Sequence, residues 1–266
     1  MFLVFSSVAT IFGFTVQDRF ALSATATAGI SAIYMTIMGV TMISGVTDTV
    51  ESALKQADTA MYQAKAAGRN NYQFFDQRMN QAAARRFALE SSLRGALGRG
   101  EFELHYQPKL RLDSGAVSGF EALLRWNRPG HGLVYPAEFV PVLEETGMVV
   151  RVGEWIVDEA CRQIAAWNEE GVRELRVAVN VSSRQFVEGD LEGDIRAALD
   201  KHKVDPGLLE LELTESALMS NFEHTVQVLE SLKALGIRIA IDDFGTGYSS
   251  LAYLKRFPID KLKIDI

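Results

Sequence analysis

Ile239-Ala240-Ile241-Asp242-Asp243-Phe244-Gly245-Thr246-Gly247-Tyr248-Ser249-Ser250-Leu251 is the stretch that decides the fold. A short apolar run, suited to a buried strand, ends in two adjacent carboxylates and passes at once into a glycine- and hydroxyl-rich loop. Like charges side by side at the end of an apolar strand repel each other and attract a cation. Two readings stand on these residues alone. Asp242 and Asp243 hold divalent metal, or Asp242 caps the next turn and Asp243 is solvated. The C-terminal end of a strand is also where α/β barrels keep their chemistry.

Working outward, apolar runs and helical periodicities alternate from Phe102 onward, a pattern that predicts parallel βα units. Strands are expected over Phe102–Leu112, Val117–Trp126, Leu175–Val181, Leu208–Leu213, Ile237–Ile241 and Lys261–Ile264. Helices are expected over Pro136–Glu145, Val149–Glu170, Gln185–His202, Asn221–Leu235 and, briefly, Leu251–Arg256. Every strand after the first carries polar groups near its C-terminal end: Glu121, Asn180, Glu212 with Glu215, Asp242-Asp243, and Lys263 with Asp265. In a barrel these ends converge on one mouth. One amide and four carboxylates (Glu121, Glu212, Asp242, Asp243) form an oxygen-rich set that suits Mg²⁺ or Mn²⁺ rather than zinc or copper.

Composition narrows the classes. A chain of 266 residues, 48% hydrophobic and 23% charged, forms one large domain or two smaller ones. A net charge of −7 leaves no electrostatic footprint for duplex nucleic acid, and a small anionic ligand needs metal or local Arg/Lys to offset it. The single Cys161 excludes an internal disulfide and a cysteine-based zinc site, and its surroundings read as a core thiol. His105, His131, His202 and His224 lack close metal-ligand spacing, and Trp126, Trp155 and Trp167 read as core.

The N-terminal part is organised differently. Met1–Gln17 and Phe20–Thr47 carry no charge. They read either as a membrane contact or as buried strands of a small α+β domain. Thr49–Ala67 has helical periodicity and stops at Gly68. Gln77–Leu97 is a further helix, and the chain therefore divides into residues 1–76, a connector at 77–100, and a main domain at 101–266.

Ala57–Tyr72, with Val40-Thr41-Met42 as a preceding strand, resembles the C-terminal end of a GGDEF (diguanylate cyclase) domain. The Gly-Gly-Asp-Glu-Phe signature and the phosphate-binding half are absent, so the resemblance implies a remnant without cyclase activity. The main domain resembles an EAL domain. The motifs that carry this are His105-Tyr106-Gln107-Pro108, Glu121-Ala122-Leu123 within Glu-x-Leu-x-Arg, Asn180-Val181-Ser182, Glu212-Leu213-Thr214-Glu215, Asp242-Asp243-Phe244-Gly245 and Lys263-Ile264-Asp265. They stand in the family's order.

The resemblance implies a TIM-like (β/α) barrel and metal-dependent hydrolysis of cyclic di-GMP to linear pGpG in bacterial signalling. By the same resemblance, Glu121, Asn180, Glu212, Asp242 and Asp243 are metal ligands in a two-metal Mg²⁺ or Mn²⁺ site, with Asp243 bridging. Lys263 orients the attacking water, Glu215 holds the loop after Asp243, and Gln107 and Arg125 contact the dinucleotide. A homodimer through this domain and a cytoplasmic location, with membrane contact through residues 1–47, complete the expectation. Family members continue for two more βα units, bearing a further glutamate ligand and a glutamine. Six of eight strands imply an incomplete barrel, unstable or weakly active by itself, and keep open a non-catalytic receptor for cyclic di-GMP. A glycosidase with paired carboxylates is disfavoured by the Asn and Asp-Asp pattern.

Overall fold

The computed structural model describes residues 56, 58–62, 64–65, 75–219, 222–245 and 256–264. The expected strand at Val40-Thr41-Met42, the uncharged stretches before Thr47, the loop from Thr246 to Ser250, the helix from Leu251 and Asp265 lie outside them. The chain divides into two compact units, residues 1–88 and 89–266. In the first, Ala60 and Ala64 are buried on a helical stretch. There Thr59 Oγ1 donates to Asn80 Oδ1 at 3.3 Å and the Arg86 guanidinium lies 5.4 Å over the Tyr62 ring. Helix α1 (Gln77–Leu93) ends four residues earlier than its apolar periodicity suggests, because Gly95 takes a left-handed φ of 81°. No helix among the described residues is long and apolar enough to cross a membrane.

The second unit is a twisted sheet with helices packed on one face. Its strands are β1 (Phe102–Leu110), β2 (Val117–Arg128), β3 (Gly132–Val134), β4 (Arg176–Val181), β5 (Leu209–Thr214), β6 (Arg238–Phe244) and β7 (Lys261–Ile264). The order is β1-β2-β4-β5-β6-β7, with β3 paired to β2. From β2 through β4, β5, β6 and β7 all pairings are parallel, as the alternation predicts. The first pairing departs from that expectation. β1 runs antiparallel to β2, Phe102 facing Trp126 and Gln107 facing Glu121. The connection, residues 111–116, turns through Gly115 at φ 68°. It is too short for a parallel crossover, which takes about a dozen residues or more. Gly119 is where β2 comes closest to its neighbour, since a Cβ there would lie 2.4 Å from the Arg176 carbonyl oxygen.

The helices are set by local signals. In α2 (Pro136–Thr146) proline occupies the first turn and Gly147, at φ 76°, closes the end. α3 (Val149–Glu169) carries an apolar stripe including Val157, Ala160, Cys161 and Ile164. The single helix expected over Gln185–His202 is two helices, α4 (Ser183–Glu188) and α5 (Leu191–His202), since Gly189 interrupts it and Asp190 caps Gly193 N–H. A reciprocal capping box joins Ser182 and Gln185. α6 (Glu215–Met219) and α7 (Phe222–Ala234) follow β5.

Strand alternation divides the sheet. Val177, Val179, Leu209, Leu211, Leu213, Ile239 and Ile241 join Cys161, Ile164 and Ile195 in one core. A second core gathers Trp126, Phe102, Phe139 and Leu143. On the opposite face of the same strands stand Glu121, Asn180, Glu210, Glu212 and Asp242. Burial, with the nearby Asp158 charge, pushes the Cys161 thiol up to about 12. The thiol is thus protonated and inert at neutral pH. A maleimide is expected to leave the native chain unlabelled and to react in urea. Stoichiometric labelling without denaturant would contradict this packing.

Candidate functional site

Three carboxylates meet at the ends of the parallel strands. Glu121, Glu212 and Asp242 each bring an oxygen within 4.8 Å of the others. They surround the ammonium of Lys263, which donates to Glu212 Oε2 at 2.6 Å, Asp242 Oδ2 at 2.8 Å and Glu121 Oε2 at 3.3 Å. Asn180 Nδ2 donates to Glu121 Oε1 at 3.0 Å. Parallel pairing explains the convergence, because Asn180 lies beside Glu212 on neighbouring strands and Asp242 lies beside Thr214. Burial disfavours the Lys263 cation, but hydrogen bonds to Asp242 and Glu212 and the charges of Glu212 and Glu121 outweigh it, raising its pKa above the usual lysine range.

The other sequence-predicted residues sit around this cluster. Asp243 is exposed, has a left-handed φ of 52°, and donates its N–H to Asp242 Oδ1 at 3.0 Å. Its carboxylate is not part of the three-carboxylate cluster. Left-handed backbone at a non-glycine residue is uncommon, and aspartate tolerates it better than most. Gln107 is exposed opposite Glu121. Arg125 stands four residues beyond Glu121 on the same strand face. It donates from Nη1 to Leu124 O at 2.9 Å, its guanidinium lies 5.1 Å over the Tyr135 ring, and its buried Nε has no hydrogen-bond partner among the described residues. Glu215 Oε2 accepts from Gly245 N at 3.2 Å, tying the corner after β5 to the loop after β6.

Sequence reasoning missed several members of the same region. Lys109 reaches Glu212 Oε1 at 2.5 Å and Glu210 Oε1 at 3.2 Å, and Lys261 reaches both Glu210 oxygens at 2.7 and 2.8 Å. Each lies two positions before an already marked residue, or after one in the case of Lys109, so strand periodicity points to them. The Glu144 carboxylate accepts from Ser182 Oγ at 2.7 Å, and its carbonyl accepts from Arg184. It fastens α2 to the turn after β4.

An all-oxygen set around a single cationic position fits a hard divalent ion. The family assignment follows from comparison with known proteins. The model of the EAL domain matches residues 90–266.

The chain belongs to the EAL family.

The α/β sheet is accordingly the TIM-like fold of EAL domains. The model of the diguanylate cyclase GGDEF domain matches residues 15–71. The EAL chain is 46% identical over 228 residues to the bifunctional diguanylate cyclase/cyclic di-GMP phosphodiesterase MucR of Pseudomonas aeruginosa, covering 86% of this chain and 33% of that protein. It is 41% identical to the cyclic di-GMP phosphodiesterase PdeR of Escherichia coli, covering 80% of this chain and 32% of that protein. Among solved structures, the PaMucR phosphodiesterase in complex with c-di-GMP superposes with a TM-score of 0.65 at 49% identity, over 67% of this chain and 72% of that one. The chain thus spans about a third of the length of the curated relatives it matches.

Proposed function

We propose that this EAL chain hydrolyses cyclic di-GMP to linear pGpG with Mg²⁺ or Mn²⁺. The observation that carries the reading is the convergence of Glu121, Glu212 and Asp242, with Asn180 beside them, on one cationic position at the strand ends. Its agreement with the names of the family relatives supports the substrate. Glu121, Asn180, Glu212, Asp242 and, beside them, Asp243 would hold the ions. Bound divalent ions supply Lewis-acid stabilisation of phosphoryl charge and lower the pKa of water.

The chain's own residues do the rest. Arg125 presents a planar fork suited to phosphate oxygens, held in place by the Tyr135 ring. Gln107, which pairs with Glu121, would touch the dinucleotide. Lys263 brings an ammonium to the point where water meets the carboxylates and orients that water. In the reaction the water oxygen bonds to phosphorus, the bond from phosphorus to the 3′ oxygen breaks, and that oxygen leaves as a hydroxyl after taking up a proton. Glu215 holds the loop at Gly245 and so keeps the backbone after Asp242 in register.

Incubating the purified chain with cyclic di-GMP and Mn²⁺, and following pGpG by chromatography, tests this directly. Turnover is expected with either ion and none with excess chelator. Saturable binding without turnover would instead support a receptor for cyclic di-GMP. Neither turnover nor binding would sink both. A homodimer through this domain belongs to the same reading, and sedimentation with and without cyclic di-GMP tests it.

A further inference from the structure

Glu212 is completely buried, and its two oxygens face different lysines. Oε2 meets Lys263, the ammonium that also gathers Asp242 Oδ2 and Glu121 Oε2. Oε1 points the other way and meets Lys109 at 2.5 Å. Lys109 comes from β1, a strand that supplies none of the three carboxylates, and it is itself pinned from behind. Glu210 Oε1 accepts from it at 3.2 Å, and Glu210 in turn holds Lys261 through both oxygens. Lys109, Glu210 and Lys261 line one small cavity with Gly119 and Ala178. The β1–β2 register slips between Lys109 and Leu110, and Ser118 Oγ donates to the Lys109 carbonyl at 3.2 Å. Irregularities of this kind re-aim side chains near active sites.

Resting on the metal-dependent reading above, we propose that Lys109 is a positioning residue that holds Oε1 of Glu212 away and leaves only Oε2, the oxygen facing the strand-end cluster, to meet an ion, and so favours Mg²⁺ or Mn²⁺ over Ca²⁺. A small ion with strict octahedral geometry takes single oxygens, whereas Ca²⁺ accepts more ligands and readily takes both oxygens of one carboxylate. Two-oxygen binding at Glu212 requires breaking a charge-assisted hydrogen bond between the buried carboxylate and the partly buried Lys109 ammonium. That penalty falls on Ca²⁺ and spares the smaller ions. Charge alone does not produce it, because both ions carry +2 and feel the nearby lysine alike. Groups orienting a ligand in this way typically change metal binding by about 10- to 100-fold when removed.

The test is calorimetric titration of the full chain with Mg²⁺ and with Ca²⁺, separately. Lys109→Met is expected to shift the affinity ratio toward Ca²⁺ by about tenfold. Lys109→Gln, polar but shorter, is expected to shift it in the same direction. Lys261→Met removes the other ammonium that Glu210 holds, a half-exposed one, without touching Glu212, and is expected to keep the parental ratio. An unmoved ratio in both Lys109 variants, or an equal shift in Lys261→Met, would overturn the proposal. So would a chain that folds as Lys261→Met but with neither Lys109 substitution, since Lys109 would then be a stability residue. If the parent chain bound neither ion and made no pGpG, the functional reading itself would fall. A parent chain that binds Mg²⁺, with an immobile ratio, would sink this inference alone.

Discussion

Glu121→Ala is expected to lower cyclic di-GMP hydrolysis by about 10³-fold, roughly 4 kcal/mol of transition-state stabilisation, while the chain stays folded. Glu121 is the only one of the three carboxylates that comes from β2, and it is the one that Asn180 buttresses from β4. Alanine removes an oxygen from the cationic position and leaves Asn180 Nδ2 without its acceptor. The Lys263 ammonium keeps Glu212 and Asp242, so the strand ends remain paired and the thermal melt should shift little. The loss should appear in kcat with Mn²⁺ in excess. A variant with full turnover would disprove the assignment of Glu121 to the metal.

The largest expected effect on stability lies at the other end of β2. Trp126→Ala is expected to cost about 3–5 kcal/mol, read from urea titration with Cys161 labelling as the unfolding signal. The indole is fully buried, with ring centroids 5.7 Å from Phe139 and 6.4 Å from Phe102. Its Nε1 donates to Glu101 Oε2 at 3.0 Å. Alanine opens a cavity in the second core and removes that donor, although Arg99 still pairs with Glu101. Trp126→Phe should recover most of the packing. A Trp126→Ala chain with the parental urea midpoint would mean that this core contributes far less than its burial implies.

Much of the sheet was legible because parallel strands, buried on the helix side, read as short β-branched runs closed by polar residues. Arg176–Val181 and Arg238–Phe244 are such runs, and their ends pointed to Asn180 and Asp242. The hairpin was not legible as such. Phe102–Leu110 and Val117–Arg128 each look like a strand, and direction depends on the length of the link between them. Lys109, Glu210 and Lys261 were missed for a different reason. A charged residue alternating with leucine reads as a solvated strand face, as Glu210 and Glu212 do between Leu209, Leu211 and Leu213. Only the assembled sheet shows that this second face is enclosed. Asp243 was legible as a carboxylate but not in its placing, because its left-handed backbone lies where the β6–β7 register shifts and strand alternation no longer says which way a side chain stands.

The row of alternating charges from Lys261 through Glu210, Lys109 and Glu212 to Lys263 bears on how the chain folds as well as on what it binds. Its members are distant in sequence: Lys109 and Glu212 are 103 residues apart, and Lys263 and Glu212 are 51 apart. Any partly collapsed state that lacks β1 or β7 would dehydrate a carboxylate without its cation, a penalty of several kcal/mol for each ion. Half-built sheets are therefore disfavoured, and the strands gain by closing together. The large sequence separation slows that closure. The same polar interior that suits a cation thus gives the domain a late, cooperative folding barrier.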